Sequence, residues 1–108
     1  MATDVGLAQL LRDDLAAVTC TEKKMFGGLC FLLNGNMLSG TLKNSALFRV
    51  GKPNDPAALA IPGTYPMVQR GLPMAGFVEL PAAACADDTR RRALSAMALA
   101  FVLTLPPK

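Results

Sequence analysis

The sequence predicts an α+β domain in which an antiparallel sheet is packed by helices. Three observations carry that reading. Leu7, Leu11, Leu15 and Val18 recur at steps of four, four and three, the stripe of one helical face. Between residues 29 and 50 the apolar residues come instead in short runs, separated by Asn34-Gly35 and Lys43-Asn44-Ser45, the pattern of strands joined by tight turns. A long uncharged stretch from Ala93 to Pro107 then follows Asp87 and Asp88, which suit the positive end of a helix.

The elements follow in order. Thr3 suits an N-cap and Asp4 the first turn, so a first helix is expected from about Asp4 to about Val18, with Arg12 and Asp13 turned outward. Gly6 weakens its first turn by about 1 kcal/mol relative to alanine. Thr19, Thr21, Met25 and Phe26 have extended character. Leu29 to Leu33 has no polar break and reads as a strand covered on both faces. Asn34-Gly35 turns it back into Met37 to Lys43, where Gly40 marks a bulge or a close contact. Ala46 to Val50 completes a three-stranded meander, with Ala46, Phe48 and Val50 on one face and Leu47 and Arg49 on the other.

Gly51-Lys52-Pro53 breaks the sheet. Asn54 or Asp55 caps a short helix through Ala57 to Ala60, with Pro56 in its first turn. The segment 62–76 holds three prolines, three glycines and two methionines, which excludes a central strand throughout. An edge strand near Pro66-Met67-Val68, then a loop, is the expectation. Phe77 to Leu80 is the next strand, and Pro81 closes it. Asp87 caps the last helix, where Leu94, Met97, Phe101 and Leu105 form one stripe while Leu99, Val102 and Leu103 leave no polar face opposite. One face packs on the sheet. The other calls for a partner chain, so a homodimer is expected, with Leu99 and Val102 in its interface.

Composition narrows the function. A chain of 108 residues holds one domain, residues 1–108. With 52% apolar residues, 18% charged and a mean hydropathy of +0.35, disorder is excluded. A net charge of +3 and a pI near 9.0 permit contact with nucleic acid without arguing for it. Histidine is absent, which removes the commonest general base and metal ligand. Cys20, Cys30 and Cys85 make an odd set with no Cys-x-x-Cys pair, as expected in a reducing cytoplasm. The first residues lack the pattern of a signal peptide. The 15 uncharged residues 93–107 fall short of the roughly 20 that span a bilayer.

Four groups are candidates for chemistry. Gly27-Gly28 beside Lys23 and Lys24 could form an anion-binding turn, but a strand bend where packing forbids a Cβ is favoured. Arg90-Arg91-Arg92 could meet phosphates, but Asp87 and Asp88 lie three and four residues away, and a solvated, paired helix face is favoured. Cys30 belongs to the core, whereas Cys20 and Cys85 are placed at element edges with partial exposure. A zinc site would need a carboxylate as its fourth ligand. Arg49 and Glu79, charged exceptions within apolar strands, could pair across the sheet or line a shallow pocket, and a structural pair or exposed positions are favoured. No catalytic residue, cofactor or metal is expected.

A resemblance adds direction. Thr21-Glu22-Lys23-Lys24-Met25-Phe26-Gly27-Gly28, the Asn34-Gly35-Asn36-Met37 turn, Phe48-Arg49-Val50-Gly51, Gly71-Leu72-Pro73-Met74-Ala75-Gly76-Phe77 and Ala100-Phe101 ahead of Leu105-Pro106-Pro107-Lys108 stand in one chain. Together they resemble the TfoX N-terminal domain family in its short, single-domain form. Leu72 stands where that family usually has arginine, and Phe77 where it usually has tryptophan or tyrosine. The resemblance implies an α-β(3)-α-β(2)-α order like that of secretion-chaperone domains, and kinship with TfoX/Sxy regulators of DNA-uptake competence. The expected function is a non-enzymatic cytoplasmic binding or regulatory domain that acts through protein contacts and has no membrane association. Its expected surface includes Lys23, Lys24, Arg49, Leu99 and Val102. A weak nucleic-acid-binding regulator and a small-molecule binder or minor enzyme are the alternatives.

Overall fold

A computed structural model describes residues 5–25 and 28–107. Thr3 and Asp4 of the expected first cap, and Phe26 and Gly27 of the expected glycine turn, lie outside the described residues. The elements run α1 (Val5–Asp14), β1 (Thr21–Met25), β2 (Gly28–Leu33), β3 (Asn36–Thr41), β4 (Ser45–Arg49), α2 (Asp55–Leu59), β5 (Tyr65–Gln69), β6 (Leu72–Pro81) and α3 (Asp88–Val102). Single 3₁₀ turns precede α2 and α3. The expected order is met with one strand added at its start. The charged run Thr21–Met25 lacks the apolar character of a buried strand, yet it pairs with β2 as the edge of the sheet.

The six strands form one antiparallel sheet in the order β1-β2-β3-β4-β6-β5. Its first four strands are a meander, turned at Asn34 and Gly35 with φ of 55° and 81°, both in the region that a two-residue hairpin requires. Pairing places Glu22, Phe31, Ser39, Phe48, Val78 and Pro66 in one row across the sheet. The adjacent row, on the opposite face, is Lys23, Cys30, Gly40, Leu47, Glu79 and Tyr65.

Helices cover the face that bears Phe31, Phe48 and Val78. There Leu7, Leu11 and Leu15 of the first helical segment meet Leu38, Leu94, Ala98 and Val102 in one core. The helix α1 ends at Asp14, four residues before the expected end, but 3₁₀-type bonds from Ala16 to Asp13 and from Val18 to Leu15 carry its stripe onward. Thus Leu15 stays buried although it lies beyond the regular helix.

Two irregularities shape the sheet. Leu38 is an extra residue on β3 opposite the Phe31/Leu32 step, a bulge that adds it to the core. Gly40 is therefore a close contact rather than the bulge itself: a Cβ there would lie 2.9 Å from the Leu29 carbonyl oxygen. Between β5 and β6, pairing jumps from Pro66–Val78 to Val68–Pro73, so Met74 to Phe77 of β6 bow out opposite the single residue Met67. The segment expected to be a loop after β5 is instead a β-hairpin, turned at Arg70 and Gly71 with φ of 54° and 78°. The local rules are obeyed, since its prolines lie on the edge strand β5 and in the β6 arm that meets it.

No helix among the described residues is long and apolar enough to cross a membrane.

Candidate binding site

The bowed part of β6 faces the end of β4 and the last turns of α3. It delimits a cleft of about 380 Å³ lined by Arg49, Lys52, Pro53, Ala75, Phe77 and Phe101, with Gly51 and Gly76 at its base. The Arg49 guanidinium carbon lies 5.8 Å from the centre of the Phe77 ring and 5.6 Å from that of Phe101. Both distances fall within cation–π range. Among the described residues no carboxylate or carbonyl pairs with Arg49.

The base is held by backbone hydrogen bonds. Val50 and Gly51 both donate to the Gly76 carbonyl, at 2.9 and 3.1 Å, and the Gly76 N–H donates to Asp55 Oδ1 at 3.0 Å. Asn54 Nδ2 closes the turn on the Val50 carbonyl at 2.9 Å. Gly51 has φ 87° and ψ 148°, a conformation that side chains disfavour, and a Cβ there would overlap the Phe101 ring.

Glu79 does not join Arg49. It accepts from Ser45 Oγ at 2.7 Å and from Tyr65 Oη at 3.3 Å, which holds the start of β5 against the sheet. Burial pushes the Tyr65 hydroxyl above its ordinary pKa. Of the two possibilities for the pair, the pocket applies to Arg49 alone, and the cross-sheet pairing does not occur. The pairing register explains this, because Arg49 lies opposite Phe77 while Glu79 lies opposite Leu47.

The other arginines have a different role. Arg90 pairs with Asp87 at 3.0 Å and Arg92 with Asp88 at 3.8 Å, as the spacing predicts. Arg91 departs from the solvated face expected of it. Its side chain is 2% exposed and makes two hydrogen bonds to Asp14, at 2.8 and 3.1 Å. Two more go to the Cys85 carbonyl at 2.8 Å and to Asp88 at 2.7 Å. Ser95 Oγ donates to the same Asp14 carboxylate at 3.1 Å. The Asp14 hydrogen bonds hold the guanidinium far above its already high pKa. Four of the five guanidinium N–H groups are thus committed in a buried ion pair that joins α1 to α3, which makes it a structural element rather than a phosphate site.

The remaining candidates divide cleanly. Lys23 and Lys24 are exposed on the edge strand β1. A Cβ at Gly28 would overlap the Thr41 carbonyl, so packing there excludes one, as the strand-bend reading requires. Cys30 is buried as expected. Cys85 is buried as well, against the expectation of partial exposure, because the 3₁₀ turn Ala84–Ala86 tucks it under α3. Desolvation raises the thiol pKa of both Cys20 and Cys30, the opposite of activation.

On α3, Leu99 is half-buried, whereas Val102 is 1% exposed within the chain's own core. Val102 is thus no surface residue: the helix turns it onto the sheet, and the outward positions are taken by Arg92, Ala96, Ala100 and Leu103. Sequence reasoning also passed over the exposed apolar residues of the β5–β6 hairpin, Tyr65, Val68 and Leu72. No strand period marks them in the sequence, because they stand three and four residues apart among the prolines and glycines of 62–76.

Comparison with the curated proteins and with the solved structures gave no match. The family model of the TfoX N-terminal domain matches residues 13–102, which takes in the Arg91–Asp14 pair, the hairpin and every residue lining the cleft. The chain therefore belongs to the TfoX N-terminal domain family.

Proposed function

We propose that this is a non-enzymatic regulatory domain, related to competence regulators, that acts through protein contacts made by the β5–β6 hairpin. One observation carries this reading. Of the five large apolar residues exposed among the described residues, three lie on that hairpin: Tyr65 at 40%, Val68 at 57% and Leu72 at 69%. The hairpin also ends the sheet, so one side of β5 has no neighbouring strand. Apolar side chains beside an open strand edge suit a partner that adds a strand. The partner is a second copy of the chain, giving a homodimer, or another cytoplasmic protein.

Direct nucleic-acid binding is the weaker reading. All three arginines at the start of α3 are engaged by Asp14, Asp87 or Asp88, which leaves that reading with Lys23 and Lys24, exposed on the opposite edge of the sheet.

The test is recovery of partners by the tagged chain from its native cytoplasm after nuclease treatment, alongside sedimentation of the purified chain. The wild type should retain a protein partner or sediment at twice its own mass. The Val68→Lys/Leu72→Lys variant should lose either property without a fall in melting temperature. Retention by the variant refutes the hairpin interface, and recovery that disappears with nuclease favours the nucleic-acid reading.

A further inference from the structure

The cleft at the C-terminal end of α3 is separate from the exposed apolar residues of the hairpin, and its chemistry is specific. We propose that it binds a small organic carboxylate with an aromatic or aliphatic body. Arg49 stands at its wall between Phe77 and Phe101, with the hydrogen-bonding edge of the guanidinium unpaired among the described residues. A planar fork of this kind matches the two oxygens of a carboxylate. Lys52 is an exposed second cation in the lining, and among the described residues no acidic side chain lines the cleft. Two cations thus face the cleft, while the nearby Asp55 carboxylate is committed to the Gly76 N–H.

The rest of the lining decides which anion. Phe77, Phe101, Pro53 and Ala75 present apolar surface to the body of the ligand. A phosphate would call on backbone N–H groups as well, but those of Gly51 and Gly76 are already committed to the Gly76 carbonyl and to Asp55. One guanidinium fork with apolar walls therefore suits a monocarboxylate better. At the ~30 Å³ that a water occupies in the liquid, a cleft of about 380 Å³ holds about a dozen non-hydrogen atoms, the size of phenylacetate or a medium-chain acid.

The site is built before any ligand arrives. The absence of a Cβ at Gly51 lets the Phe101 ring close on the turn, and the bow in β6 brings Phe77 to the other side of Arg49. Both depend on the same doubly bonded Gly76 carbonyl. Ligand binding needs no rearrangement of the fold.

The experiment follows the backbone amides of the full chain by NMR during titration with phenylacetate, hexanoate, phenylacetamide and inorganic phosphate. Phenylacetate and hexanoate should shift Gly51, Lys52, Gly76 and Phe77 in a saturable way. Phenylacetamide and phosphate should bind about tenfold more weakly or worse, as loss of the charge-assisted pair or of the apolar contact requires. Arg49→Met keeps an apolar stem between the rings and should lose about tenfold or more in carboxylate affinity, while Arg49→Lys should fall between it and the wild type. The Val68→Lys/Leu72→Lys variant should titrate like the wild type, so failure here and failure of the hairpin interface are distinguishable. Equal binding of phenylacetate and phenylacetamide overturns the proposal. So does tighter binding of phosphate, or no shift at the cleft up to roughly tens of millimolar. These three outcomes are read on the wild type and do not depend on whether any variant folds.

Discussion

The two ends of α3 each meet an arginine, and the two arginines are opposites. At the N-terminal end Arg91 is buried, bonded four times and neutralised by Asp14 and Asp88. At the C-terminal end Arg49 is half-buried, lies 5.8 and 5.6 Å from the centres of the Phe77 and Phe101 rings, and is bonded to no acceptor among the described residues. A guanidinium with every available acceptor around it is a structural clamp. One set beside aromatic rings, with its donors left over, is a receptor. Burial and charge alone do not separate the two roles, whereas the count of satisfied donors does.

Breaking the clamp should have the largest effect. Arg91→Met leaves the Asp14 carboxylate, 2% exposed, without its main partner, and should destabilise the fold by about 3–5 kcal/mol in denaturant titration. Asp14→Asn should cost less than Arg91→Met, since an amide oxygen still accepts from Arg91. A pair of equal, small effects would show that the ion pair is ornamental.

The next test strikes the receptor's frame rather than its ligand. Gly51→Ala forces a disfavoured backbone conformation and drives a methyl into the Phe101 ring, which should destabilise by about 2–3 kcal/mol. Arg49→Met, by contrast, should leave stability nearly unchanged. If Arg49→Met destabilises as much as Gly51→Ala, the distinction between receptor and clamp collapses.

The smallest effect concerns the cap that starts α3. Asp87 accepts from the backbone N–H groups of Thr89 and Arg90 and from the Arg90 side chain. These bonds, the Arg90 backbone one foremost, hold its carboxyl below the ordinary aspartate pKa. A pKa depressed on folding adds stability above the unfolded-state value, and that stability is lost as pH falls through the folded-state value. Thermal melts from neutral to acid pH should therefore show a shallower acid limb in Asp87→Asn, which keeps a capping oxygen but not the titrating charge. An unchanged limb would assign acid sensitivity to other carboxylates, such as Glu22, held down by its hydrogen bonds from Arg12.

What proved legible was local. The Asp87 cap, the Asn34-Gly35 turn, the short helix begun near Asp55 and the edge position of Pro66-Met67-Val68 all depend on residues within a few positions of one another. Strand β1 was half legible: its extended character is written in Thr21 and Met25, but its place in the sheet depends on pairing with β2, and the lysines conceal it. The arginine run misled because sequence spacing shows the neighbours Asp87 and Asp88 but not Asp14, 77 positions from Arg91. The helical stripe of α3 misled in a related way. Residue type alone gives it no polar side, yet Arg91 and Ser95 face inward while the alanines at 96 and 100 face out.

By itself, then, the sequence determined the class of the domain, the order of its elements apart from β1, and the burial of its central strands. These rest on short-range backbone preferences and on the period of apolar residues, which act before any distant contact forms. Only the tertiary structure decided which arginine became a clamp and which became a receptor, because that choice depends on acceptors and rings brought in from distant parts of the chain. Asp14 reaches Arg91 from α1, and Phe101 reaches Arg49 from α3. The desolvation that makes one pair structural and the open cleft that leaves the other available exist only once the helices lie on the sheet.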